Sequence, residues 1–212
     1  MLRAQRNDIK GAEDLIAQVL AKSPRDTGAL TLRGNIALSR KDPKSAIADL
    51  RTVLRDQPNA VGVLRTLARA HLANGEPAIA EETMQRAVEA NPRDAGLRLD
   101  FAQLLVQSGK SAQAKTILVD LVKDQPNNVQ ALDVLFRLSA DAKDYETAKS
   151  AADSIVATQP KAALGYLFEG MLAEEEKRNE KALRLYGQAA DLQPETIEPL
   201  QAQIRHALAK MT

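Results

Sequence analysis

The sequence predicts an all-α fold, a solenoid in which pairs of helices stack one on the next. Three observations predict it. Alanine and proline recur at one fixed interval of 34 residues, at Ala12, Ala46, Ala80, Ala114, Ala148 and Ala182 and, twelve residues after each, at Pro24, Pro58, Pro92, Pro126, Pro160 and Pro194. Within each period, apolar residues follow helical spacing on both sides of a short polar turn. Residues that start and stop helices stand at matching places from one period to the next. A unit of this length cannot bury its apolar face alone, so its neighbours must complete the core.

Residues 8–26 form half a repeat, a lone second helix over 8–22 with Leu15, Ile16, Val19 and Leu20 on one face. Its absent partner should leave that face partly bare. Full repeats follow at 27–60, 61–94, 95–128, 129–162 and 163–196, and a terminal helix lies within 197–212, from about Ile197 to Lys210. This phase sets Met1 in the middle of a first helix and Thr212 at an inter-helix turn. The expectation is a segment of a longer array, with room outside it for a signal, a lipidated cysteine or a membrane anchor.

The boundaries carry their own chemistry. Proline at repeat position 32 disfavours helical geometry in the residue before it, so second helices should end near Gln57, Asn91, Gln125, Gln159 and Gln193. Asp26, Asn59, Asp94, Asn128 and Thr196 then stand where a side-chain oxygen can accept from the free N–H groups of the next helix. The repeat entered through Lys161 and Ala162 lacks such a cap. Pro43, Pro77 and Pro199 fall in first turns, where a missing N–H costs little. Turns inside repeats are polar and short, as at Lys41-Asp42, Asn74-Gly75-Glu76, Ser108-Gly109-Lys110 and Lys143-Asp144.

Two helices that bury their faces against one another need small residues where they cross. The alanine at position 20 supplies one side, and Gly34, Ala68, Ala102 and Gly170 at position 8 supply the other. Large apolar residues flank the crossing. Leu30, Leu64, Leu132, Tyr166 and Leu200 occupy position 4, Leu67, Phe101 and Leu135 position 7, and Leu50, Met84, Leu118 and Tyr186 position 24. In the fourth repeat the volumes are exchanged, Phe136 standing at position 8 and Ala152 at position 24. The Phe136 ring is expected to be buried, filling the space a bulky position 24 takes elsewhere.

This pattern closely resembles the tetratricopeptide repeat family over nearly the whole chain, best in 61–94, VGVLRTLARAHLANGEPAIAEETMQRAVEANPRD. The resemblance implies a right-handed superhelix of antiparallel helix pairs, about twelve helices in all. Arg33 and Glu169 at position 7 and Arg98 at position 4 depart from the apolar residues the family prefers. The Ala-rich, Cys-free repeats with Gln-Pro-Asn boundaries are also similar to arrays of bacterial envelope proteins, including repeat lipoproteins that accompany exosortase and exopolysaccharide secretion. That similarity implies a periplasmic or envelope setting rather than a cytoplasmic one.

Composition excludes several functions. With 29 basic and 28 acidic residues, a net charge of +1 supplies no field able to neutralise many phosphates, so nucleic acid is not an expected partner. No stretch approaches the ~20 apolar residues needed to cross a bilayer, and direct membrane insertion by this segment is not expected. No cysteine is present, which removes disulfides, thiol nucleophiles and thiolate metal sites. His71 and His206 lie far apart in repeat terms, and His71 occupies a packing position. There is neither a GxGxxG nor a GxxxxGK[ST] loop. No cofactor, metal or catalytic residue is expected. The run Glu174-Glu175-Glu176-Lys177-Arg178 is expected to be a solvated extension of the fifth repeat's first helix.

By the family resemblance, the first helix of each repeat lines the inner curve, with positions 2, 5, 9, 12 and 13 facing inward. Asp133, Asp141, Leu167, Glu174 and Glu175 stand among these positions. The candidate peptide-binding residues are Asn35, Leu38, Arg65, Arg69, Leu72, Leu99, Gln103, Val106, Arg137 and Met171. Leu72, Leu99 and Met171 would be apolar anchors and the charges would select the partner. Arg65 and Arg69, one helical turn apart, suit a carboxylate or other anion, or else an ion pair with Asp100. Some family members clamp a C-terminal carboxylate with Lys and Asn at positions 5 and 9 and Asn at position 6 of the next repeat. Thr31, Asn35 and Thr66 depart from that set, so binding of a chaperone tail in that manner is not expected. The expected function is a non-catalytic scaffold holding a protein or peptide in the groove. The alternative is an assembly component of an envelope or exopolysaccharide-secretion system, acting through spacing or self-association at open array ends.

Overall fold

Proline spacing and helical periodicity are realised in a computed structural model that describes residues 9–194 and residue 201. Eleven helices lie among the described residues: α1 (Ile9–Lys22), α2 (Thr27–Ser39), α3 (Pro43–Asp56), α4 (Val61–Ala73), α5 (Pro77–Ala90), α6 (Ala95–Gln107), α7 (Ser111–Asp124), α8 (Val129–Asp141), α9 (Tyr145–Thr158), α10 (Ala163–Glu175) and α11 (Asn179–Leu192). No strand and no helix long and apolar enough to cross a membrane occurs among them. The terminal helix expected within 197–212, with Pro199, Leu200, His206 and the Thr196 cap, lies outside the described residues except for Gln201.

The second helices stop with Gln57, Asn91, Gln125, Gln159 and Gln193 as C-caps, each one residue before a proline. Pro43 and Pro77 open α3 and α5. Asp26, Asp94 and Asn128 accept from the N–H groups of Ala29, Leu97 and Ala131 at 2.7, 3.0 and 3.1 Å. Asn59 makes no such cap. The residue just before α4 is Ala60, which has no side-chain oxygen, and Asn59 stands one residue too early. Ala162 leaves α10 without a side-chain cap, as expected.

Between paired helices the chain closes in the same way in all five repeats. The N–H groups of Asp42, Glu76, Lys110, Asp144 and Arg178 donate to the carbonyls five residues back, at 2.8 to 2.9 Å. That bond requires a left-handed residue in the turn. Lys41, Gly75, Gly109, Lys143 and Lys177 fill the role, with φ between 58° and 78°. Lys177 therefore ends α10 at Glu175, and α10 has the same 13 residues as α2, α4, α6 and α8. The expected lengthening through Glu176-Lys177-Arg178 does not occur, because the turn geometry is that of every other repeat.

The described helices fall into two compact units, Met1–Leu104 and Leu105–Thr212, divided within α6. In the first unit α2 packs on α3 and α4 on α5, while α3 and α4 join successive repeats and α2 also touches α4. Leu30, Ala46, Leu50 and Val53 share a core cluster with Val63, Leu67 and Ala70 of the following repeat. Each fully buried leucine at such a position contributes about 2 kcal/mol relative to an exposed one. Ala46 and Ala80, at position 20, are fully buried. At the α2–α3 crossing, a Cβ on Gly34 would stand 3.1 Å from Leu50 Cγ. Arg33, a departure from the family pattern, keeps the register through two 2.7 Å hydrogen bonds from Nε and Nη2 to the Asp49 carboxylate on α3. On α1, Ile16 is buried and Leu20 half-buried, whereas Leu15 and Val19 are 64% and 42% exposed.

In the second unit α7 packs on α8, α8 on α9, α9 on α10 and α10 on α11. Ala114, Ala148 and Ala182 are fully buried at position 20. Phe136 is buried, as the exchange of volumes with Ala152 requires. Its ring lies parallel to that of Phe168, centroids 3.7 Å apart, so α8 and α10 meet through stacked aromatics. The closest approach is at Gly170, where a Cβ would stand 2.5 Å from Tyr186 Cε1. Lys115 on α7 pairs with Asp144 at the start of α9, and Asp144 also accepts from the Thr147 hydroxyl at 2.7 Å. These bonds hold the Asp144 carboxyl at about 2, the Lys115 contribution being the largest.

Candidate peptide-binding surface

First helices need only part of their circumference for packing, so each presents a row of side chains away from the second helices. In the first unit that row contains Asn35 on α2, Arg65 and Arg69 on α4, and Gln103 on α6, all exposed. Leu38 and Leu72 are half-buried and pack against the two core clusters, leaving part of each side chain at the surface. Leu99 is only 7% exposed. It supports the wall rather than offering an open anchor, which corrects the role expected for it.

The electrostatics of this face divide the two arginines. Arg65 Nε is paired with an oxygen of the Asp100 carboxylate, so α4 and α6 are tied through adjacent first helices. Of the two roles expected for Arg65, the ion pair is the one present. Arg69 is exposed and has no ion pair or side-chain hydrogen bond among the described residues. Deeper in α4, His71 is 1% exposed and its Nδ1 lies 2.5 Å from Glu76 Oε2, while Asn74 donates to Glu76 Oε1 at 2.8 Å. The bond from His71 is the main reason the Glu76 carboxyl lies below its ordinary value. His71 therefore clips the turn to α5 and takes no part in the exposed row.

In the second unit Val106 is 36% exposed. Arg137 is exposed, its Nε donating to Asp133 Oδ1 at 2.7 Å and its guanidinium carbon 5.4 Å from the centre of the Phe168 ring. Met171 is half-buried and lines an open hollow of about 390 Å³ between α8 and α10. Phe136, Ala140 and Leu172 share its apolar lining, and Asp141, Lys143, Tyr145, Glu174 and Glu175 supply polar groups. Tyr186 donates to Glu174 Oε2 at 2.6 Å and Tyr145 to Glu175 Oε2 at 3.2 Å. Desolvation, then the bond to Glu175, raises the Tyr145 hydroxyl above its ordinary value. Of the ten candidate residues only Met171 reaches this hollow. Asp141, Glu174 and Glu175 stood at positions that the family resemblance turns inward, whereas the acidic run ending α10 was expected to be only a solvated helix end. No group of three His, Cys, Asp or Glu side chains placed to hold a metal occurs among the described residues.

Comparison with known proteins follows the same geometry. A solved structure of YrrB, described as a TPR protein with an unusual peptide-binding site, superposes with a TM-score of 0.66 at 18% identity, covering 89% of this chain and 97% of that one. A tetratricopeptide repeat protein from Parabacteroides merdae superposes with a TM-score of 0.74 at 16% identity, over 86% of this chain and 72% of the other. PilF of Pseudomonas aeruginosa gives 0.67 at 21% identity, over 89% and 86%. None of the curated proteins compared with the chain matches it. A general tetratricopeptide repeat family model matches residues 1–61, and the model described as the cytochrome c-type biogenesis protein H TPR domain matches residues 48–162, more than half the sequence. A 34-residue period, a left-handed turn residue in every repeat and small residues at each helix crossing are thus those of the tetratricopeptide repeat family, to which this chain belongs.

Proposed function

We propose that the chain is a non-catalytic protein-interaction scaffold whose first-helix faces bind peptide segments of a partner. The observation that carries this reading is the row of exposed, polar or half-buried side chains on adjacent first helices, of which Asn35, Arg69 and Gln103 are spent on no core contact. A side chain already free of internal partners meets a ligand without breaking anything. Supporting it, the similar YrrB structure is described as holding a peptide-binding site. Leu72 and Met171 supply apolar contact and Arg69 supplies selection for an acidic or carboxylate-bearing segment.

Peptide titration of the native chain against Arg65→Glu and Arg69→Glu tests the reading. Arg69→Glu is the cleaner probe, since Arg65→Glu also sets a carboxylate against Asp100. Binding that weakens with Arg69→Glu supports the surface, and unchanged affinity removes Arg69 from it. Sedimentation over a concentration range separates the rival reading, an envelope assembly component. Concentration-dependent self-association without peptide binding would favour that alternative.

A further inference from the structure

Helix α1 is built as the second helix of a pair but lacks the cover that second helices have. It has the same 14 residues as α3, α5, α7, α9 and α11. Ala12, its alanine at position 20, is exposed, whereas Ala46, Ala80, Ala114, Ala148 and Ala182 are fully buried. Val19, at position 27, is 42% exposed, and in the other five helices that position is at most 1% exposed. Leu15, 64% exposed, stands where Asp49, Thr83, Ala151 and Leu185 are buried. In a full repeat the cover is its own first helix: Arg33 reaches Asp49, and Gly34 stands against Leu50 and the Ala46 carbonyl. Helix α2 marks the same gap from its other side. Residues at its position 6 touch the preceding first helix in later repeats, as Asp100 pairs with Arg65 and Phe168 stacks on Phe136. Leu32, at position 6 of α2, is 56% exposed.

Two helices thus outline one place shaped for a third, and the repeat itself says what fills such a place. It is an amphipathic helix antiparallel to α1, with a small residue at the crossing and apolar residues a turn away. We infer that a second copy of this chain supplies it, the two α1 helices packing antiparallel about a twofold axis. Among the described residues, α1 is itself the helix whose stripe of that kind is left open, at Ala12, Leu15 and Val19. A twofold interface must be self-complementary. Antiparallel pairing meets that demand, because the alanine end of one stripe lies against the valine end of the other, with Leu15 of each copy beside the axis. Each bare face covers the other, and the pairing closes at a dimer. A helix of 14 residues is about 21 Å long, so even with Leu32 at its edge the contact is at the small end of protein interfaces. A dissociation constant of about 10–100 μM is expected. None of the ten candidate peptide-binding residues takes part, so the pairing does not rest on the peptide-binding reading.

The test is sedimentation velocity from about 1 μM to about 1 mM, on the native chain and on Leu15→Glu/Val19→Glu. The native chain should pass from monomer to a discrete dimer, and the variant should remain monomeric, its association weakened by at least about a hundredfold. Both replaced side chains are exposed, so the helicity and thermal midpoint of the variant at the lowest concentration should match those of the native chain. Cross-linking locates the contact. The sequence has no cysteine, so Leu15→Cys carries the sole thiol. Oxidation with copper phenanthroline in air should join Leu15→Cys into a covalent dimer and leave Glu82→Cys, exposed on α5, as monomer. A native chain that stays monomeric to the highest concentration would overturn the pairing and leave the face to a helix from outside this sequence. A dimer that survives Leu15→Glu/Val19→Glu, or that gives no cross-link through Leu15→Cys, would overturn it by placing the contact elsewhere. Assembly that continues past the dimer would overturn the closed twofold arrangement.

Discussion

Gly170→Ala is the sharpest test of how these helix pairs are packed. An ideal Cβ at position 170 would lie 2.5 and 2.6 Å from Tyr186 Cε1 and Cδ1. The ring cannot retreat. Tyr186 is fully buried and its hydroxyl is held by Glu174 at 2.6 Å. A contact this short puts the overpacking cost in the upper part of its range, about 2–3 kcal/mol, and the gain from replacing glycine within a helix is about 1 kcal/mol, so a net loss of about 1–2 kcal/mol is expected. The corresponding change at the first full repeat should behave oppositely. At Gly34 the nearest atom is Leu50 Cγ at 3.1 Å, and the second repeat already carries an alanine, Ala68, at this position in one core cluster with Met84. Gly34→Ala should therefore be neutral or stabilising by up to about 1 kcal/mol. The control is Tyr186→Leu, in which Gly170→Ala should cease to destabilise. Urea unfolding followed by circular dichroism, with native-state hydrogen exchange to locate the change in a quasi-one-dimensional array, measures all of these. Gly170→Ala as stable as the native chain, or equally harmful with and without the Tyr186 ring, would refute the argument.

Other consequences follow from the turns and buried charges. Lys41 adopts φ 61°, which a side chain makes costly, so Lys41→Gly should raise the stability of the first unit by about 1 kcal/mol in urea unfolding. Gly75→Ala, at φ 78°, should lower it by a similar amount. Arg33→Leu restores the apolar residue the family prefers yet leaves Asp49, 8% exposed, without its partner. A loss on the order of 1–2 kcal/mol is expected, and Asp49→Ala in the same chain should recover much of it. Asp144 has its folded value depressed from 3.8 to about 2, so its contribution is complete above pH 3.8 and disappears as pH falls through about 2. Thermal midpoints measured from pH 6 down to pH 2 should therefore fall less steeply for Asp144→Asn than for the native chain.

How much of this was legible beforehand depends on how local each feature is. Helix ends follow from prolines and caps a few residues away, and so they could be read directly. The exception, Asn59, failed by one residue, because a cap acts through a side chain that must sit just before the first helical turn. The crossing alanines and glycines were visible because the requirement for small residues recurs every 34 positions. By contrast, the left-handed turn was hidden. Three of its five residues are lysines, whose composition does not announce positive φ.

The sequence by itself determined the repeat, the alternation of helices and the small residues at their crossings, since each arises from contacts within one period. Tertiary structure alone decided which side chains meet between periods. It paired Arg65 with Asp100, buried Leu99, stacked Phe136 on Phe168 and gathered Asp141, Glu174 and Glu175 around one hollow. Those distances depend on the angle and spacing at which neighbouring helix pairs pack, and that geometry is summed over many small contacts rather than written at any one position.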